Sequence, residues 1–332
     1  MTHPVTSETI GDTASKEIAA EIKQQDQMNS PANVEDEPHF LNLKIIVPFM
    51  LVSLIWGSTW LVIADQINAV PPSWSVTYRF IVAAIGMFIL CKVLKEKLHM
   101  PLATHGLAMI IGLVQFALNF NFVYAAEHHI TSGLVAVLFA LLIIPNALFG
   151  KWFLGKSVSK NFWIGAGIAS LGVTLLLVHE YRQAPGDPME VVIGIFLTLI
   201  AVLLASSANI IQAAKRVSAY PIVVILAWSM LYGMVANALL SLIIAGAPSF
   251  DPRPSYIAGI LYLGLIGSVV TFPLYFKLIR EIGPGKAAYT SVFIPVVAMI
   301  LSTIFEAYIW SGMAIIGAIL AMLGLAQSMR SR

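Results

Sequence analysis

The polar side chains in this sequence that could handle a small molecule lie inside long apolar stretches, and they are few. Ser58 and Thr59 stand side by side between Trp56 and Trp60. Two hydroxyls flanked by two indoles could line an aromatic-walled pocket for an amphipathic solute. The alternative is helix packing through small residues, because Ser58 and its neighbour Gly57 permit close approach.

Two further groups of polar residues follow helical spacing. Gln115 and Asn119 are four residues apart and would share one face of a helix. Ser206, Asn209 and Gln212 recur every three residues. Two polar stripes on different helices suit a wet central cavity better than contact with lipid. Interhelical hydrogen bonding alone would also explain either stripe, so both interpretations stay open.

Five more residues complete the set of candidate solute contacts. Asn146 follows Pro145, whose missing N–H frees a backbone carbonyl, so the pair could form a broken-helix contact or a kink. Arg79 is predicted at the outer end of its span, where it could attract an anionic carboxylate, snorkel to headgroups or pair locally. The other three candidates are Trp228, Tyr289 and Ser291.

Ionisable groups near the apolar stretches are rarer still and bear on energy coupling. A proton-coupled carrier needs a group that changes charge between states. Glu306, or the cluster of Glu127, His128 and His129, could provide it. The alternative is that Glu306 caps a helix turn and that the histidines are solvated loop residues.

The same residues argue against catalysis. Asp65, Asp187 and Asp251 lie at the ends of apolar stretches or between them, so the paired acids of an aspartyl protease are missing. No HExxH motif is present, and no base accompanies a serine inside a span. The single cysteine, Cys91, excludes an internal disulfide. We therefore predict no enzyme, no metal, no cofactor and no nucleic-acid partner.

Composition indicates which elements must position these residues. The 332-residue chain is 58% hydrophobic and 11% charged, with a mean hydropathy of +0.85, which excludes a water-soluble surface. Its apolar residues form long blocks without the alternation of a barrel, which indicates α-helices. We predict an all-α polytopic membrane protein whose ten transmembrane helices lie at 45–64, 76–92, 106–125, 130–150, 162–178, 191–213, 221–246, 255–276, 287–306 and 310–328. Because only a tight turn separates the last two segments, nine spans is the rival count.

The distribution of charge predicts the orientation. If both termini are cytoplasmic, fourteen Lys and Arg residues of the span-containing region face the cytoplasm and three face outward, as the positive-inside rule requires. Residues 1–42 hold two lysines against eight acids and no apolar stretch. They are predicted to form a disordered acidic cytoplasmic tail, with Met28 as an alternative start.

The span-containing region holds an internal repeat with a period of about 150 residues. Ile144-Pro145 aligns with Ile294-Pro295, and the glycine and alanine positions of 165–172 align with those of 317–324. Five spans per copy is an odd number, so the second copy enters the membrane in the opposite sense. Inverted-topology repeats of this kind build many secondary transporters. Shared Gly-Ala content of two apolar segments is the alternative explanation.

The order and duplication of several short motifs resemble the EamA type of the drug/metabolite transporter superfamily. The motifs are Ile55-Trp56-Gly57-Ser58-Thr59-Trp60, Arg79-Phe80 after Pro71-Pro72, Pro145, Trp228 with Gly233, Tyr275-Phe276, and Pro295 with Glu306. The resemblance implies two repeats, at 45–178 and 190–328, around a central cavity. One departure is Gly155-Lys156, where the family usually has Gly-Glu after the fourth span, so no family role transfers to Lys156.

The resemblance also implies a function. It indicates a secondary transporter of small metabolites that works by alternating access, and we favour an exporter of amino acids or related amphipathic solutes. A sugar, phosphosugar or nucleotide-sugar carrier of the same superfamily is one alternative, and a non-transporting membrane receptor or scaffold is another. The expected partners are a small-molecule solute, the lipid bilayer and, if transport is proton-coupled, protons. The expected location is the cell membrane, which means the inner membrane for a bacterial source; substrate, direction, coupling and oligomeric state stay open.

Overall fold

The structure is a computed structural model, and it describes residues 43–67, 70–155, 157, 159–183, 188–288, 290–306 and 309–329. All regular secondary structure in these residues is helical. The long helices are α1 (Leu43–Gln66), α2 (Pro72–Val93), α3 (Leu102–Ala126), α4 (Ser132–Leu154), α5 (Lys160–Gln183), α6 (Pro188–Ala213), α7 (Ile222–Ile244), α8 (254–287), α9 (Thr290–Phe305) and α10 (Gly312–Met329). A short helix, Lys215–Ser218, joins α6 to α7. The predicted tail at 1–42 and Lys156 lie outside the described residues.

Length and hydropathy identify these helices as membrane spans. Within the described residues, α1 to α8 each contain an apolar stretch long enough to cross a bilayer. The apolar stretches of α9 and α10 are shorter, at Phe293–Phe305 and Gly312–Gly324. The predicted class, an all-α membrane protein with many spans, is confirmed, and α9 and α10 are separate helices at the positions predicted for the last two spans. The cytoplasmic placement of the termini stays a prediction.

Proline and glycine set several helix boundaries. Pro72, Pro188 and Pro254 are the first residues of α2, α6 and α8, where the missing N–H removes no helical hydrogen bond. At the other end of α4, Gly155 has φ of +65°, a left-handed conformation that terminates a helix at low cost for glycine. Helix α2 begins at Pro72, four residues before the predicted start of the span at residue 76. The residues that follow therefore lie deeper in the helix than predicted.

The packing of the two halves shows an exchange symmetry. Helix α2 packs on α7, and α5 packs on α10, so equivalent helices meet each other. Helix α1 of the first half packs on α9 of the second, and α6 of the second packs in the same way on α4 of the first. Likewise α3 contacts α7 while α8 contacts α2. Each of these cross-half contacts thus has a counterpart in which the halves exchange roles.

The contact between α5 and α10 depends on glycine. A Cβ atom added at Gly172 would lie 2.2 Å from the backbone N of Ala321 and 2.5 Å from the carbonyl O of Gly317. A Cβ added at Gly324 would lie 2.2 Å from the backbone N of Ala169. The two backbones are therefore in direct contact, as close-packed helices in membranes commonly are. These are positions that aligned in the sequence repeat.

Two helices contain π-helical stretches at equivalent places. In α3, residues Gly112–Asn119 form a π-helical stretch, and in α8, residues Tyr262–Val270 form another. A π-helical turn is wider than an α-helical turn and is often found at functional sites. Because α3 and α8 are the third helices of their halves, the same distortion occurs once in each half.

We expect Gly172→Ala to destabilise the protein by about 1–3 kcal/mol, because the added methyl group would push the backbones of α5 and α10 apart. The measurement is the thermal unfolding midpoint of the detergent-purified protein. Gly167→Ala on the same helix is the matched control, since a Cβ there has no atom within 4 Å. Equal unfolding midpoints for the two variants would contradict the glycine-dependent contact.

Candidate functional site

Residues of seven helices surround one cavity. Its empty volume is about 740 Å³, counting its mouth, and its walls come from α1, α2, α3, α4, α6, α8 and α9. Both halves of the chain therefore contribute to it. Eight of the residues predicted from the sequence line this cavity: Trp56, Thr59, Trp60, Arg79, Gln115, Asn119, Asn209 and Ser291.

Aromatic rings form much of the cavity wall. The Trp56 ring lies 5.1 Å from the ring of Phe272 and 4.9 Å from that of Tyr275, measured between centroids. The Trp60 ring lies 5.1 Å from Phe139. The indole N–H of Trp60 is buried and has no hydrogen-bond partner. These faces offer an apolar surface with one unused donor, a combination suited to an amphipathic solute.

Arg79 is the charged residue of this lining. Its side chain is 1% exposed, its Nε donates to Ser268 Oγ at 3.3 Å, and its guanidinium carbon lies 4.2 Å from the centroid of the Phe120 ring. Its Nη1 has no hydrogen-bond partner, and among the described residues no carboxylate lies within ion-pairing distance. We predicted this residue at the outer end of its span. Because α2 begins at Pro72, Arg79 lies about two turns inside the helix instead.

The two predicted polar stripes reach the cavity only in part. Asn119 lines it and donates to the carbonyl of Ala201 at 2.6 Å, which ties α3 to α6. The Oε1 atom of Gln115 is buried without a partner. Ser206 and Gln212 are buried, lie outside the cavity lining and have side-chain atoms without partners.

A small amide cluster links the cavity to the far part of α8. Asn209 Nδ2 lies 3.3 Å from the Tyr275 hydroxyl and 3.4 Å from Asn146 Oδ1. Asn146 in turn donates to the carbonyl of Pro284 at 3.5 Å. Asn146 therefore supports the cavity from behind, through Asn209, and is not part of the lining. Its own partner lies next to Gly283, where φ of +82° breaks the helix.

Three other candidates lie elsewhere. Ser58 shares a 2.7 Å hydrogen bond with the hydroxyl of Tyr262, so it connects α1 to α8 and does not line the cavity. Trp228 donates its indole N–H to the carbonyl of Leu98 at 3.0 Å and packs on His105, away from the cavity. Tyr289 lies outside the described residues.

Sequence reasoning missed several residues of the lining. Phe120, Phe139, Phe272 and Tyr275 all line the cavity, although none was predicted as a solute contact. The spacing of Phe272 and Tyr275, three residues apart on α8, places them on one helix face and was a usable signal. Phe120 and Phe139 gave no such signal, because isolated aromatic residues in apolar helices usually face lipid or the core.

The π-helical stretches are held by side chains of neighbouring helices. Trp56 donates its indole N–H to the carbonyl of Gly267 in α8 at 3.1 Å. Asn237 of α7 donates to the carbonyl of Phe116 in α3 at 2.7 Å and accepts a hydrogen bond from Asn121, also at 2.7 Å. Without water in the bilayer core, such partners stabilise carbonyls that the distorted helices leave unpaired. Asn237 was also missed; its signal was a lone amide in an otherwise apolar segment.

The predicted coupling residues gather at one end of the bundle, which we call the acidic end and define by Glu127 and Glu306. Glu306 accepts a 2.6 Å hydrogen bond from Ser132 Oγ, so α9 is linked to the start of α4. Glu127 is 7% exposed, and neither of its carboxylate oxygens has a hydrogen-bond partner. His128 is exposed, while His129 pairs with Glu190.

Burial raises the pKa of Glu127 well above its usual value, and the nearby Glu306 carboxylate adds to the effect. Both effects favour the protonated form of Glu127. Burial lowers the pKa of His128, assisted by His129, so the histidine is disposed to be neutral. The described residues contain no group of three or more His, Cys, Asp and Glu side chains that could hold a metal ion.

A cavity between two five-helix halves of a membrane protein, with an amphipathic lining, defines a membrane transporter of the repeat-built type. The chain belongs to the EamA-like transporter family, which matches residues 43–178 and again residues 192–330. The protein is thus a multi-pass transporter of the cell membrane, as the sequence predicted.

Individual relatives agree with this assignment. The chain is 29% identical to "Uncharacterized inner membrane transporter YedA" of Escherichia coli strain K12 over 75% of this chain and 79% of the relative. It is 25% identical to "Protein PagO" of Salmonella typhimurium, over 80% and 86% of the two chains. It is also 25% identical to a "Probable amino-acid metabolite efflux pump" of Salmonella typhimurium, over 83% and 91%. A solved crystal structure shares the fold with a TM-score of 0.64 at 18% identity, and the match covers 85% of this chain and 96% of that chain.

We expect Asn237→Leu to lower the unfolding midpoint clearly, because it leaves the Phe116 carbonyl and the Asn121 amide without their partner, at a cost of about 1–3 kcal/mol per unsatisfied group. Ser207→Ala is the control, since the exposed Ser207 hydroxyl bonds only to the carbonyl of Leu203 in its own helix. Thermal unfolding in detergent measures both. A midpoint for Asn237→Leu equal to that of the control would show that the amide does not support the π-helical stretch.

Proposed function

We propose that the protein is a secondary transporter that exports amino acids or related amphipathic metabolites by alternating access. The observation that supports this most directly is the cavity itself, because helices of both halves line it with indoles, phenyl rings and amides. A rocking motion of one half against the other would expose such a site to each side in turn. The relative named as a probable amino-acid metabolite efflux pump points to the same class of solute.

The lining argues against the alternatives. A phosphosugar or nucleotide sugar carries two or more negative charges and would need several Lys or Arg residues, whereas Arg79 is the one such residue among those that line the cavity. Catalysis would need an activated nucleophile, and the described lining holds no His, Asp or Glu that could act as a base. A receptor or scaffold would move no solute, so a flux measurement distinguishes it from the proposed exporter.

We further propose that the acidic end couples transport to protons. Glu127 follows Val123 of the cavity lining by one helical turn, and Ser132 precedes Ala136 of the lining by one turn. The Glu306 carboxylate, directly after α9, lies near enough to raise the pKa of Glu127, while His129 pairs with Glu190 of α6. Two carboxyl groups at one buried site do not both ionise readily. A proton on Glu127 would stabilise the closed acidic end, and its loss on hydration would favour opening.

Transport is tested with protein reconstituted in liposomes and a panel of labelled amino acids, sugars and small organic acids. We expect Trp60→Ala to lower the flux of the preferred solute by about tenfold or more, because it removes the indole that faces the cavity. Trp152→Ala is the matched control, since Trp152 is 65% exposed and lies outside the lining. If wild-type protein moves no member of the panel under any gradient, the transport proposal fails.

Proton coupling is tested with Glu127→Gln, which mimics the protonated side chain. Because the pKa of Glu127 is raised in the folded protein, stability should fall as the pH rises from the ordinary glutamate pKa to the raised value. We expect the wild-type unfolding midpoint to fall over this range and its flux to respond to a pH gradient. Both effects should be absent from Glu127→Gln and retained in Glu281→Gln, a control at a carboxylate that pairs with Lys277. A full gradient response in Glu127→Gln would rule out this residue as the coupling group.

A further inference from the structure

We propose that the cavity selects organic monocarboxylates with a net negative charge, in preference to zwitterions, neutral amides and amines, and that Arg79 is the residue that recognises the carboxylate. This inference rests on the proposed transport function and specifies the class of solute. Of the proposed solutes, it favours the related amphipathic metabolites that lack a charged amine, such as deaminated or N-acylated amino acids, over the free amino acids.

The first observation is the charge balance of the cavity. Among the described residues that line it, Arg79 carries a positive charge and none is Asp or Glu. A monoanion would bring the total charge of the occupied cavity to zero. A zwitterion would leave the total at one positive charge, and an amine would raise it to two. Excess charge in a cavity enclosed by apolar walls is unfavourable, because little water is available to solvate it.

The second observation is the unfinished coordination of the guanidinium. Ser268 accepts from Nε, the Phe120 ring faces the planar group and the Tyr124 hydroxyl also interacts with the guanidinium, but Nη1 has no partner although it is buried. Buried arginines normally pair with carboxylates, since an unpaired buried charge is costly. Here the described residues provide no such acid. A carboxylate oxygen of a solute would supply both the missing acceptor and the missing charge.

The third observation is that Arg79 is held in place. Its helix is fixed on α8, because a Cβ added at Gly264 would lie 3.1 Å from the Arg79 carbonyl and 2.7 Å from Val82 Cγ1. Its Nη2 lies 3.7 Å from the position of a Cβ at Gly267, so it contacts the π-helical stretch of α8. A long side chain that is already ordered loses little entropy when it binds an anion. The distortion of α8 and the position of the charge are therefore coupled.

The rest of the lining suits the body of such a solute. Trp56, Trp60 and Phe272 offer apolar faces for a hydrocarbon or aryl group. Among the described lining residues, an ammonium group would find ring faces, hydroxyls and amide oxygens such as Gln115 Oε1, which has no partner of its own, but no carboxylate. The same oxygen could accept from the N–H of an N-acylated amino acid. The lining thus offers a partner for an uncharged N–H group of a solute but no carboxylate for a charged ammonium group.

The experiment compares four probes that share one body: 3-phenylpropanoate, L-phenylalanine, 3-phenylpropanamide and 2-phenylethylamine. Equilibrium binding to the detergent-purified protein is measured by calorimetry, and flux is measured in liposomes. We expect wild-type protein to bind the anion about tenfold more tightly than the zwitterion and about a hundredfold more tightly than the amide or the amine. Equal or tighter binding of the zwitterion, the amide or the amine would overturn the proposal.

Variants of Arg79 test the assigned residue. Arg79→Gln should remove the preference of the site for the acid over the amide, while Arg79→Lys should keep the preference in weaker form. A charge preference that persists in Arg79→Gln would overturn the assignment. If Arg79→Gln does not fold, lowering the pH through the ionisation of 3-phenylpropanoate provides the test in wild-type protein, because binding must weaken as the probe loses its charge. The amide serves as the pH control.

The two readouts separate this inference from the proposed function. Selective anion binding without flux of any probe would support the recognition by Arg79 and count against transport. Flux of the zwitterion or the amine without preference for the anion would support transport and overturn the charge selectivity. Absence of binding by all four probes would also overturn the anion inference, whatever other solutes the liposomes carry.

Discussion

The absence of water from the bilayer core is the constraint on which this structure depends. Every polar group at that depth must find a partner within the protein or face a cavity. Asn119 and Asn237 donate to backbone carbonyls of other helices, and Trp56 donates to Gly267. Each of these bonds joins two helices, so satisfying the polar groups also assembles the bundle. The polar groups left without partners include atoms of cavity residues Trp60, Arg79 and Gln115.

The π-helical stretches connect this constraint to the cavity. A wider helical turn shifts the following side chains around the helix axis and leaves carbonyls in need of donors. In α3 the stretch includes the lining residues Gln115 and Asn119, and in α8 it ends at Val270, two residues before the lining residue Phe272. Both stretches are held by side chains from other helices. The same distortion therefore occurs once in each half of the chain, at or next to residues that line the cavity.

The two halves share a scaffold and differ in chemistry. Backbone contacts such as that of α5 with α10 follow the repeat, because they need only small residues at equivalent positions. Charge does not follow the repeat: Arg79 of the first half lines the cavity, while the described lining from the second half holds no lysine or arginine. The carboxyl group of Glu127 likewise comes from the first half, and that of Glu306 from the second. In the proposed mechanism, the solute is therefore bound by a charge from one half, whereas proton coupling uses one carboxyl group from each half.

The sequence by itself determined the class of protein, the approximate positions of the long helices, and eight of the nineteen cavity-lining residues. Hydropathy is a property of local segments, so the apolar helices can be located without knowing how they pack. A polar or amphipathic residue within such a segment is a candidate solute contact, and Trp60 and Asn119 could be found in this way. The tertiary structure alone decided which face of each helix turns inward. It separated Asn209 from Ser206 and Gln212 on one helix, and it placed Trp228 on a different surface. The depth of a side chain in the membrane depends on where proline starts its helix. The direction in which it points depends on whether a π-helical stretch rotates the helix and on which helix packs against it. For that reason only the structure showed that Arg79, buried and without a carboxylate partner among the described residues, lies against the cavity.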